Sequence, residues 1–125
     1  MAQSALQQFI GGIGSFIESS IAALVDDAMR DTLIRDLGGT PQANSPKPSF
    51  PPNGLDSVKA YRDAAEPDLE ALAAAIADIR SFFSILRNFI GSLDLGVGAS
   101  VDEAYRGILD MLGWNVIRQR EPRLF

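Results

Sequence analysis

The residues most suggestive of chemistry in this sequence are Asp26, Asp27, Arg30, Asp31, Arg35 and Asp36, six charged side chains within eleven positions. An Asp-Asp-x-x-x-Asp run offers hard oxygen ligands of the kind that hold a divalent cation. Only one such set exists in 125 residues, and its members have a simpler use. Asp26 with Arg30 and Asp31 with Arg35 are i,i+4 pairs in the favourable order, each worth about 0.2–0.5 kcal/mol on a helix surface. Ion pairing is therefore expected here, with no metal and no cofactor. Asp102, Glu103 and Asp110 fit helix capping and solvation, and Tyr61 and Tyr105 have no obvious acid or base partner. Hydrolase and transferase motifs are absent.

Cysteine and histidine are both missing. That removes disulfides, thiolate nucleophiles, imidazole bases and the two commonest transition-metal ligands. No catalytic residue is assigned, and a carboxylate-based metal enzyme is the remotest reading. The net charge is −5 and it is unevenly placed: residues 1–114 carry 8 Lys and Arg against 15 Asp and Glu, whereas 115–125 carry Arg118, Arg120 and Arg123 against Glu121. An acidic body repels phosphate backbones, so nucleic acid is not an expected partner. The basic tail could seek an acidic protein surface. The N-terminus lacks the basic region of a secretory signal, which points to a cytoplasmic protein.

These side chains must be held by helices. Leu69, Leu72, Ile76, Ile79, Phe83, Leu86, Ile90 and Leu93 recur at alternating steps of three and four, a coiled-coil-like seam that needs a partner helix. Phe82, Ile85 and Phe89 widen its second half. Residues Gln3 to Leu37 have similar spacing and read as one amphipathic helix of roughly 50 Å, stopped by Gly38 and Gly39. Its stretch from Phe9 to Val25 is uncharged except for Glu18. A charge at mid-span costs about 2.5–3.5 kcal/mol on insertion scales, so a transmembrane crossing is not expected. Gly11, Gly12 and Gly14 weaken that helix, and close approach of another helix at these small residues is the expected compensation.

Five prolines between residues 38 and 54 exclude helix and sheet there, with Phe50 expected to pin the connection to the bundle. Leu55 to Ala65 reads as a short helix nearly in line with the seam helix, broken at Ala65 to Pro67. An antiparallel return would then bring Glu18 near Arg87. Leu95 to Ala99 reads as a Gly-containing turn, and Ser100 with Glu103 as the capping box of a third helix to Leu112. Gly113 ends that helix, and Trp114 is a structural plug against Leu109. Asn115 to Phe125 reads as an extended arm.

The expected fold is all-α: a long antiparallel helical hairpin with a kinked second arm, a short third helix, and an extended basic C-terminal arm. Residues 1–114 form the helical domain. A hydrophobic fraction of 46%, the broad face of the first helix, the wide seam and an ending in Arg-Leu-Phe point to a non-enzymatic interaction or assembly subunit. Its partner would be a protein, either a second copy or a larger complex. Phe9, Phe16, Phe82, Ile85, Phe89, Arg118, Arg120, Leu124 and Phe125 are the expected contact residues. Membrane-surface binding through the first helix is the alternative, although that helix lacks the Lys/Arg-rich face of interfacial helices.

Overall fold

The computed structural model describes residues 3–42, 47–93, 95 and 100–125; the turn expected at Leu95 to Ala99 lies, apart from Leu95, outside them. Regular structure among the described residues is helical throughout: α1 (Ala5–Val25), α2 (Asp27–Asp36), α3 (Asp56–Asp63), α4 (Leu69–Gly91), α5 (Val101–Met111), α6 (Asn115–Arg120) and a 3-10 turn at Pro122–Leu124.

The first helix is two helices. Asp26 is extended (φ −75°, ψ 120°) and its carboxylate accepts from Met29 N at 2.8 Å, so it ends α1 and caps α2. A short carboxylate competes with the backbone for its own amides, and here the cap prevails over the i,i+4 pair. Arg30 consequently turns to Asp27, at 2.9 Å, in place of Asp26. Gly38, at φ +88°, ends α2 as expected, with Gly39 N bonded back to Ile34 O.

At its other end α1 begins with a reciprocal capping box. Ser4 Oγ accepts from Gln7 N, and Gln7 Oε1 accepts from Ser4 N. The Gln7 amide is buried, and its Nε2 donates to the carbonyls of Tyr61 and Ala64 at 3.1 and 2.9 Å. Carbonyls at a helix C-terminus lack partners within the helix, so one side chain starts α1 and finishes α3.

A break falls where Pro67 places it. Ala64 is extended, and Asp68 caps α4 by accepting from Ala71 N at 2.8 Å. The two helices are not in line, however. α3 folds back beside α4, and Asp78 of α4 accepts from Ser57 N at 2.9 Å in the first turn of α3. α1 then lies chiefly on α3, in the opposite sense: Gln7 meets Tyr61 and Ala64, Gly11 meets Arg62, and Gly14 meets Val58. Two reversals leave α1 and α4 running the same way. Glu18 accordingly pairs with Lys59 of α3 at 3.2 Å, and Arg87 pairs with Asp102 of α5, so the expected Glu18–Arg87 contact does not form.

The glycines explain how α1 and α3 come so close. A Cβ on Gly14 would sit 2.7 Å from Val58 Cγ1, and one on Gly11 would sit 2.9 Å from Arg62 Cγ and Cδ. Both distances are inside van der Waals contact. Gly12 faces open space.

The seam of α4 is buried from Ile79 through Ile90, whereas Leu69 at its start is 83% exposed. α5 runs back along α4 and ends at Gly113 (φ +89°), with Trp114 N donating to Leu109 O at 2.8 Å. That is the expected helix ending, and Trp114 is the expected plug, 0% exposed. The C-terminal segment is not an extended arm. Asn115–Arg120 is helical, and Pro122 opens the 3-10 turn, where its missing N–H costs nothing. The tail folds back because Phe125 has an aromatic surface to cover: its ring lies 4.2 Å from Phe83 and 6.0 Å from Trp114.

The close approach has a direct test. Val58 is β-branched and 2% exposed, so it cannot swing aside, and Gly14→Ala should destabilise by about 1–3 kcal/mol. Gly12→Ala should stabilise by up to about 1 kcal/mol. Urea unfolding of the two variants beside the parent checks both signs, and equal midpoints would refute the α1–α3 contact.

Candidate interaction groove

Most of the apolar residues expected to face a partner are used inside the fold. Phe82 and Phe89 are buried at 4% and 6% exposure. Phe16 packs on Trp114 at 4.3 Å between ring centroids, and Phe9 lies under the Arg120 guanidinium at 5.5 Å. Leu124 and Phe125 pack on the core, and Arg118 pairs with Asp110 at 2.8 Å. Phe82 and Phe89 are thus core residues, whereas Phe9, Phe16, Arg118, Leu124 and Phe125 are only partly buried and Arg120 is exposed. The returning tail accounts for part of this, since Arg120 lies over Phe9, Ile117 borders Phe16, and Phe125 packs on Phe83.

Ile85, the remaining residue of that set, has a different setting. With Phe82 it borders a groove of about 270 Å³ between α1, α3 and α4, whose apolar lining also includes Ile17, Ile21 and Leu55. The outer wall is the Pro-rich connection. Phe50 stacks on Phe82 at 5.5 Å and 26°, which is the expected pinning, and Pro48 beside it is buried. A turn from Pro51 to Gly54 (Gly54 N to Pro51 O, 3.1 Å) then leads the chain into α3. A Cβ on Gly54 would lie 3.2 Å from that carbonyl, which holds the turn to a residue without one.

The rim is polar. Glu18 and Lys59 pair across it with both side chains about half exposed, an arrangement worth at most about 1 kcal/mol. Asp78 stands on the α4 side, fixed by its bond to Ser57 N. An anion at the first turn of a helix is favoured by the free amides and the helix dipole. Asp78 therefore joins α3 to α4 and adds negative charge to the groove edge. Neither Asp78 nor Lys59 stood out in the sequence. The available signal was an acidic residue interrupting the apolar and alanine-rich run of α4.

The groove combines an apolar floor with a polar rim. Its carboxylates are engaged by Lys59 and by a backbone amide, and an apolar floor with a few polar groups at the edge is the usual form of a recognition site. The carboxylates with enhanced acidity lie at the surface elsewhere. Hydrogen bonding from Lys47, and then from Arg30, holds Asp27 below its usual range, and the Arg62 hydrogen bond does the same for Asp63. Asp26 is committed to its cap and Asp27 to two cations. Among the described residues no three acidic side chains gather at metal-ligand spacing. α1 is long and apolar enough to cross a membrane, but Ile10, Ile13, Ile17 and Leu24 on its inner face are buried in the bundle. No family model, curated protein or solved structure matches this chain.

Removing the Asp78 cap should be visible at one amide. Asp78→Ala should cost about 1 kcal/mol, as loss of an N-cap does, and Asp78→Asn, which keeps an acceptor, should cost less. Hydrogen exchange at Ser57 N should accelerate in the alanine variant. An unchanged Ser57 rate would show that Asp78 is not its partner.

Proposed function

We propose that this chain is a non-enzymatic helical interaction subunit that receives an apolar anchor of a partner protein in the groove at Ile85. The observation that carries the reading is the groove itself, an apolar floor left open in a fold that covers nearly all of its other aromatic side chains. Charge favours a particular kind of anchor. Glu18 and Asp78 outnumber Lys59 at the rim, and residues 1–114 are strongly acidic. Complementary potential raises the rate of encounter and excludes wrong partners, so the anchor is a large apolar side chain flanked by Lys or Arg.

Burying one such side chain contributes about 1.5–3 kcal/mol, so a stable complex draws on further contacts around the rim. The Pro-rich wall is suited to that. Proline-restricted backbone loses little freedom on binding, which lowers the ordering cost at an interface. Insertion of α1 into lipid has less in its favour, because that helix would first have to leave α3 and expose the carbonyls that Gln7 satisfies.

Peptide display against the folded chain, with Ile85→Glu as the counter-screen, tests the reading. Enriched peptides should pair Leu, Ile, Phe or Trp with Lys or Arg, and should bind Ile85→Glu at least about tenfold more weakly, a loss of about 1.4 kcal/mol. Enriched peptides that bind both proteins equally, or no enrichment at all, would defeat it. A concentration-dependent dimer of the parent chain that Ile85→Glu dissolves would assign the same groove to a second copy.

A further inference from the structure

The second cleft lies on the opposite side of α4, between α4, α5 and the C-terminal 3-10 turn, with a volume of about 390 Å³. Arg80, Arg87 and Arg123 line it, over a floor of Phe83, Tyr105 and Phe125. In a chain of net charge −5, no carboxylate side chain is among its lining residues. We infer that this cleft binds a small organic anion, a carboxylate or phosphate monoester carried on a flat apolar body.

The arginines are arranged more for a ligand than for each other. Arg87 pairs with Asp102, and its guanidinium lies 5.5 Å from the centroid of the Tyr105 ring, so it is held in place while about half of its side chain stays exposed. Arg80 donates from Nη2 to the Arg123 carbonyl at 3.3 Å. That bond positions Arg80 without neutralising it. Among the described residues no carboxylate lies within ion-pair distance of Arg80 or Arg123. Two of the three cations at the cleft, Arg80 and Arg123, therefore carry charge that no described carboxylate answers, and an oxyanion bound beside them would answer it. Planar guanidinium forks match carboxylate and phosphate oxygens in pairs.

The floor determines the rest of the ligand. Phe83 is buried and fixed between Trp114 and Phe125, whose rings lie 5.0 and 4.2 Å away. Phe125 is half-buried, so a flat apolar body entering the cleft meets aromatic surface already rigid. Burial pushes the Tyr105 phenol up to about 12, against the opposing pull of Arg87 and Arg118. A phenol is protonated at neutral pH in any case, and Tyr105, largely buried, contributes to the cleft floor as an uncharged side chain. Inorganic phosphate would meet the arginines but leave the aromatic floor bare. A neutral aromatic would leave the charges unanswered.

Calorimetric titration of the full chain with phenyl phosphate, benzoate, inorganic phosphate and neutral benzamide tests the inference. Phenyl phosphate or benzoate should bind saturably, at least about tenfold more tightly than inorganic phosphate or benzamide, and should weaken as salt is raised. The tighter of the two assigns the head group. Arg80→Gln and Arg123→Gln should each weaken binding by about tenfold or more. Arg106→Gln, at an exposed arginine that does not line the cleft, should leave it unchanged. Both cleft arginines are exposed, and circular dichroism verifies that their variants fold. No saturable binding of either organic anion, equal affinity for inorganic phosphate, or binding indifferent to both substitutions would overturn the inference.

Discussion

Trp114 exposes no surface, and its indole N–H is spent on Ser20 Oγ at 3.0 Å, which in turn donates to the Phe16 carbonyl. Much of the rest of the chain depends on that placement. Phe16 of α1 and Phe82 and Phe83 of α4 all approach the same ring, so one side chain ties the first helix, the longest helix and the end of α5 together. A large aromatic buries more area than any other side chain, and its polar edge needs a partner when buried. Ser20 provides that partner from 94 residues away. Gly113 makes the geometry possible by turning the backbone through positive φ immediately before the indole.

From this point the C-terminal segment has little freedom. With Trp114 fixed, α6 runs back over Phe9 and Phe16, and Phe125 closes against Phe83. The tail that looks free in the sequence becomes part of the wall, and its arginines take three separate roles: Arg118 pairs with Asp110, Arg120 covers Phe9, and Arg123 joins Arg80 and Arg87 at the second cleft. On the other side of α4 the constraints are polar. Gln7 completes the end of α3 and Asp78 completes its beginning, so α3 is held at both ends by helices it meets only after folding. Its middle is held by the close approach of Gly11 and Gly14. The Pro-rich connection closes over what remains, and the groove at Ile85 is the space it leaves.

Local signals in the sequence carried far. The seam of α4, the stops at Gly38 and Gly113, the cap at Ser100, the break at Pro67, the pin at Phe50 and the small-residue contact of α1 all arise from rules acting over a few residues. The features that were not legible share a cause. Asp26 suits a cap and an i,i+4 pair equally well, and the choice depends on where α2 packs. Pro67 dictates a break but not the angle across it, so α3 could continue α4 or lie beside it. Phe82 and Phe125 read as excess because their partners, Phe50 and Trp114 for the first and Phe83 and Trp114 for the second, lie outside their own segments. The groove was half visible, through Ile85 and Phe50, while Asp78 and Lys59 acquire their roles only once α3 has folded back.

Because the chain has a single tryptophan, the closure of the C-terminal segment can be read from one chromophore in the unmodified protein. If Trp114 is enclosed by Phe16, Phe82, Phe83 and Phe125, its emission should be blue-shifted and nearly insensitive to acrylamide, with both properties lost together in the urea transition that unfolds the helices. Red-shifted emission, quenched in the native protein as readily as in urea, would mean that water reaches the indole. The tail would then be free, and both the enclosed core and the arginine-lined cleft would be contradicted.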